Sequence, residues 1–98
     1  MKLSPADEQP QDRCWLCTRP LGARVEQHHP VPKSRGGLRT VAVHPICHRT
    51  LHARFSNAEL GKIGDDPAVL AADAEVARFL GWIAGKPPDF HAPTRRRR

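Results

Sequence analysis

Between His44 and His52 the chain reads His-Pro-Ile-Cys-His-Arg-Thr-Leu-His, which places four side chains able to ligate a metal within nine residues. Pro45 suits the first position of a helix, where its missing N–H costs nothing. On a helix continuing from it, His48 and His52 stand four apart and share a face, while Cys47 is turned roughly 100° from His48 and looks elsewhere. His44, three residues before Cys47, falls on the cysteine side. One short helix is therefore expected to serve two metal sites, and the missing ligands must come from earlier in the chain. Cys14 and Cys17 supply them for one site, and the pair His28-His29 for the other.

The sequence Cys14-Trp-Leu-Cys17-Thr-Arg-Pro-Leu-Gly22 forms a tight turn carrying two thiols. A Cys-x-x-Cys pair can be a redox couple, but that arrangement opens a helix after a strand in a larger domain, whereas Pro20 and Gly22 follow here as in a zinc knuckle. The odd cysteine count of 3 argues against a disulfide framework and for metal ligation in a reducing cytosol. A Cys3His set of Cys14, Cys17, His44 and Cys47 is an ordinary closed zinc site. A single C2H2 finger built from Cys14, Cys17, His48 and His52 would need a spacer far beyond the usual twelve or so residues, and would leave Cys47, His44 and His28-His29 unexplained.

Ninety-eight residues with five aromatics and no tyrosine allow one small domain of limited core, the kind that a structural metal commonly supplements. Acidic Asp7, Glu8 and Asp12 occupy the start of the chain in place of an apolar leader, and no apolar run nears the roughly 20 residues of a membrane span. A soluble cytoplasmic protein with no membrane partner is expected. The formal charge of +6 is unevenly spread. From Arg13 to Arg54 there are eight basic residues and one acid, Glu26, whereas from Phe55 to Thr94 six acids outnumber three bases. Positive charge thus concentrates on the ligand-bearing block, where a polyanion would be drawn in, and Arg95 to Arg98 adds a basic terminus.

These ligands need elements to hold them. Residues 1–12 read as a disordered lead-in. Ala23 to Gln27 is strand-compatible and ends at His28-His29-Pro30, where Pro30 forces extended backbone on His29. Lys33-Ser-Arg-Gly-Gly37 is a basic turn, and Leu38 to Val43 is a second strand, so the pair makes a hairpin. The ligand helix follows from Pro45 to about Arg54, with both histidine groups expected to face a common cleft. Ser56-Asn-Ala-Glu59 fits a capping box opening a short helix that stops near Gly61 or Gly64. Asp66-Pro67 opens the last helical region, within which Asp73 can cap a second helix. Val69, Leu70, Val76, Phe79, Leu80 and Ile83 recur at helical spacing as a lid on the core. The organisation expected is an α+β fold with a core over residues 13–55, a helical part of the same domain over 56–86, and a Pro/Arg-rich tail over 87–98.

Cys14-x2-Cys17, then His28-His29-Pro-Val-Pro-Lys-Ser-Arg-Gly-Gly37, then His44-x2-Cys47-His48-x3-His52, resembles the HNH endonuclease family in its zinc-stapled form. The resemblance covers about residues 13–54 and implies the ββα-metal fold. It implies that His28, His48 and His52 hold a catalytic divalent ion (Mg²⁺, Mn²⁺, Ni²⁺ or Zn²⁺), that His29 is the general base, and that Cys14, Cys17, His44 and Cys47 hold structural Zn²⁺. His44 stands where the family more often has a fourth cysteine. The family's middle asparagine aligns with Arg39, leaving Thr40 or a backbone carbonyl, or Arg39 itself, to orient the base. The chemistry is coherent: an imidazole near its reference pKa of about 6.5 is a competent base, and a divalent ion with open positions serves the phosphoryl oxygens and the leaving group. Lys33, Arg35, Arg39 and Arg49 would pin phosphates with little sequence choice. The implied substrate is DNA, with RNA open, cut by a monomer or weak homodimer, intracellular and compatible with a phage origin. The competing expectation is a zinc-stabilised nucleic-acid-binding module without nuclease activity, motivated by Arg39 in place of asparagine.

Overall fold

In the computed structural model the residues described are 12–93, apart from the side chain of Arg35. The expected lead-in up to residue 11 and the basic terminus Arg95 to Arg98 lie outside them. The architecture is a small α+β arrangement with a two-stranded antiparallel sheet and four helices: β1 (Glu26–His28), β2 (Val41–Val43), α1 (Pro45–Arg54), α2 (Asn57–Ile63), α3 (Pro67–Ala71) and α4 (Ala74–Ile83). A single 3-10 turn, Lys33–Arg35, interrupts the hairpin loop.

The hairpin is shorter than the sequence suggests. The expected strands, Ala23 to Gln27 and Leu38 to Val43, shrink to three residues each, paired Glu26 with Val43, Gln27 with Ala42 and His28 with Val41. The reason lies in the loop. Pro30 and Pro32 lack ladder donors, the 3-10 turn compacts the chain, and Gly36 closes that turn in the left-handed region at φ 89° with its N–H on Lys33 O. Leu38, Arg39 and Thr40 consequently run free of the ladder and are exposed.

All three β2 residues are buried, and the cysteine turn docks on that strand through Trp15 N–H donating to Ala42 O at 2.9 Å. Thr18 takes a left-handed backbone, φ 65°, to close the turn, an uncommon position for a β-branched residue. Helix α1 buries Ile46, Cys47 and Leu51 against the core and packs on β1 and on α4.

The C-terminal helices start where their caps place them. Ser56 and Glu59 form the full capping box of α2, which ends at Gly64. Asp66 caps α3 with Pro67 behind it, and Asp73 caps α4 by accepting from Glu75 N and Val76 N. Arg54 at the end of α1 donates to both oxygens of Asp73, at 2.9 and 2.7 Å, so the carboxylate that starts α4 also fixes it to α1. Leu60, Leu70, Val76 and Ile83 are fully buried on Leu51, Ile46 and Val43, with Phe79 and Leu80 packed at the edge. Val69 departs from the expected lid and stands half exposed. The start of the expected tail, residues 87–93, lies against the rest of the chain. Pro87 O accepts from Arg19, and the Asp89 carboxylate accepts from Ala23 N and Arg24 N. A side chain at Gly22 would collide with that carboxylate. Among the described residues no helix is long and apolar enough to cross a membrane.

Candidate metal centres

Cys14 and Cys17 sit on the turn before β1, His44 immediately precedes α1, and Cys47 lies in its first turn facing the core. Their four ligand atoms gather within 4.8 Å of one another. Cys17 Sγ is 3.4 Å and Cys47 Sγ 3.7 Å from His44 Nδ1. A tetrahedral ion with Zn–S of about 2.3 Å and Zn–N of about 2.0–2.1 Å requires S···N separations near 3.6 Å, and both of these separations match it. The tautomer is suited too: His44 Nε2 donates to Pro20 O at 2.8 Å, which leaves the Nδ1 lone pair turned to the thiols.

Charge argues in the same direction. Hydrogen bonds from Cys17 and Cys47 hold the Cys14 thiol far below its usual range, while hydrogen bonding to Cys14 and Cys17, and after them burial, push the Cys47 thiol far up. Cys17 is raised as well, first by Cys14. A group of this composition and spacing can hold a metal ion, and zinc is the ion whose preferences it meets.

On the opposite side of α1, His48 and His52 converge with His28 from the end of β1. The three rings form a triangle, with centroids 5.1 Å (His28 to His48), 5.3 Å (His28 to His52) and 4.9 Å (His48 to His52) apart, each pair edge-on. One nitrogen from each lies within 4.8 Å of the others, so this trio can also hold a metal ion. The most telling member is His28. It is 1% exposed, yet neither ring nitrogen has a hydrogen-bond partner. A buried imidazole with both nitrogens unsatisfied is costly and unusual, and a ligand accepting one of them relieves it. Burial first, and then the neighbouring histidines, lower its pKa from 6.5 to about 4. The ring is thus neutral and able to ligate at neutral pH. Burial lowers His52 as well. Trp15 stacks at a tilt on His28, 5.8 Å between centroids, so the residue between the two thiols also walls the histidine site.

The remaining candidates divide. His29 is half-buried, outside the triangle, but close enough for its charge to act on His28. Arg39 is turned to the surface and paired with Asp65 at 3.0 Å. Among the described residues, neither Arg39 nor Thr40 hydrogen-bonds His29. Lys33 is exposed on the hairpin loop. Arg49, one position round the helix from His48, meets His91 Nε2 at 3.1 Å and lines a groove of about 340 Å³ with Arg24, Glu26 and Pro45. Sequence reasoning missed Glu26, whose carboxylate accepts a hydrogen bond from His48 Nδ1 at 2.8 Å. Its signal was the i, i+2 spacing to His28, which on a strand puts both side chains on one face.

No family model matches the chain, and no solved structure matches it. Over 78 residues it is 38% identical to the uncharacterized protein YisB of Bacillus subtilis (strain 168), an alignment that spans 78% of this chain and 77% of that protein. At that identity and coverage, the chain belongs to the same family as YisB.

Proposed function

We propose that this protein is a metal-dependent endonuclease of the HNH type, hydrolysing phosphodiester bonds in DNA, with β1, β2 and α1 as its ββα-metal motif. The single observation that carries the reading is the buried His28 imidazole, unpartnered at both nitrogens and facing His48 and His52. The thiol site has a different task, pinning the cysteine turn and β2 to the start of α1 through structural zinc, which rigidifies the frame on which the histidines stand.

His28, His48 and His52 would hold a divalent ion, which when bound offers Lewis-acid positions for a phosphoryl oxygen and the leaving 3′ oxygen. Three neutral imidazoles leave coordination positions open, unlike the closed Cys3His set. His29, adjacent to His28 and half-buried, is the base that takes a proton from the attacking water. Lys33, Arg35 and Arg49, with Arg95 to Arg98, hold the backbone by charge and confer little sequence preference. Arg39 contributes a phosphate contact only by releasing Asp65.

The test is incubation of the purified chain with supercoiled plasmid in Mg²⁺, Mn²⁺, Ni²⁺ or Zn²⁺. Cleavage is expected with at least one ion and should disappear in His29→Ala while DNA binding persists. A second reading, a zinc-stabilised DNA-binding module, draws on the Arg39–Asp65 pair, which takes the residue in the family's asparagine position away from His29. Binding without cutting under every ion would establish that reading and end the first.

A further inference from the structure

Strand β1 presents Glu26 and His28 on the face that meets α1, and the two side chains act on α1 differently. His28 joins the triangle directly. Glu26 reaches His48 from outside it, 2.8 Å from Nδ1. A carboxylate only accepts, so Nδ1 carries the proton and Nε2 carries the lone pair. We propose that Glu26 is the positioning residue of the histidine centre: it fixes the His48 tautomer, turns Nε2 toward His28 and His52, and makes that nitrogen a stronger donor to a divalent ion. The proposal rests on the reading of the triangle as an ion site.

The thiol centre supplies an internal comparison. There His44 gives its outer nitrogen, Nε2, to a neutral carbonyl, Pro20 O, and three thiolates already answer the charge of an ion. The histidine centre has three neutral donors, and its outer acceptor is the anionic one. Each centre thus has one histidine locked by the chain, and the acceptor with negative charge stands where the ligands bring none. The rival account is an ordinary surface ion pair, since the Glu26 and His48 side chains are 46% and 24% exposed. Such a pair contributes little to folding. As a bare charge Glu26 would weaken ion binding equally when replaced by Ala or by Gln, which separates the two.

The experiment uses the full chain with its thiol site zinc-loaded and titrates Ni²⁺ calorimetrically into wild type, Glu26→Ala and Glu26→Gln. Removing a carboxylate that orients a ligating histidine typically weakens binding about 10–100-fold. That loss is expected for Glu26→Ala, with a smaller one for Glu26→Gln, which keeps an acceptor but no charge. The thermal midpoint before Ni²⁺ is added should not move. Nitrogen-resolved NMR of the imidazoles should show His48 protonated at Nδ1 in wild type and a mixed tautomer in Glu26→Ala. Wild-type Ni²⁺ affinity in Glu26→Ala, an Nε2-protonated His48 in wild type, or no second ion bound at all would each overturn the proposal. Cleavage is scored separately. A chain whose Ni²⁺ binding depends on Glu26 but which cuts no DNA refutes the nuclease reading alone, and cutting with Glu26-independent binding refutes the positioning role alone.

Discussion

Replacing Cys47 with serine tests how much of the fold depends on the thiol centre. Cys47 is fully buried, stands in the first turn of α1, and lies between His44 and the apolar cluster of Ile46 and Leu51. A domain of this size is stable by about 5–15 kcal/mol in total, and the apolar core is small: among the described residues the cluster has eleven buried members, two of them the candidate ligands Cys14 and Cys47. Structural zinc in comparable small sites contributes about 10–16 kcal/mol of apparent binding free energy at neutral pH. Loss of one of four ligands forfeits a large share of that and leaves the buried Cys14 and half-buried Cys17 thiols crowded without a cation. The stability of the whole chain is therefore exceeded or nearly so. Cys47→Ser should purify with less than one equivalent of zinc at this site and show no cooperative melt by circular dichroism. Wild type treated with a strong chelator should lose its transition in the same way and regain it on adding zinc. A Cys47→Ser chain that melts cooperatively within a few degrees of wild type would refute the reasoning.

Gly81 lies inside α4 with open space where a Cβ would go, so Gly81→Ala should stabilise by about 1 kcal/mol and raise the midpoint by roughly 4–8 °C, measured by thermal melting. For the chain without an ion on its histidines, His28 stays neutral down to about 4 when folded and takes a proton near 6.5 when unfolded. The unfolded state binds more protons between those values, so stability should fall as pH drops from 6.5 through 4, and His28→Gln should flatten that limb of a denaturation series. Below it, Arg54 first and then the capped N–H groups hold Asp73 down at about 2 against an ordinary 3.8. Its contribution is present above 3.8 and lost as pH falls through 2, so Asp73→Asn, which still caps, should show a shallower acid limb, whereas Asp73→Ala should cost about 1 kcal/mol at neutral pH for the cap alone.

The division of the candidate side chains into two groups was legible because a helix has a fixed angular step. Once Pro45 starts α1, the 100° between Cys47 and His48 assigns them to different sides whatever the tertiary context. The caps at Ser56, Asp66 and Asp73 were legible for a similar reason, since each answers local orphan N–H groups. The strands were overestimated because the β-compatible residues Leu38 and Thr40 say nothing about a 3-10 turn and a left-handed glycine that pull the loop away from the ladder. Glu26 escaped notice because its partner lies on another element 22 residues away, and only the hairpin register brings the two together. Asp65 with Arg39, and Asp89 with the backbone of Ala23 and Arg24, are likewise long-range meetings of exposed side chains, and no local periodicity announces them.

Helix α1 is expected to separate two ions. Crystals of the zinc-loaded chain soaked in Ni²⁺ and measured on either side of the zinc and nickel absorption edges test it directly. Two anomalous peaks are expected, zinc among Cys14, Cys17, His44 and Cys47, and nickel between His28, His48 and His52. A single peak, or histidines gathered round the same ion as the thiolates, would contradict it.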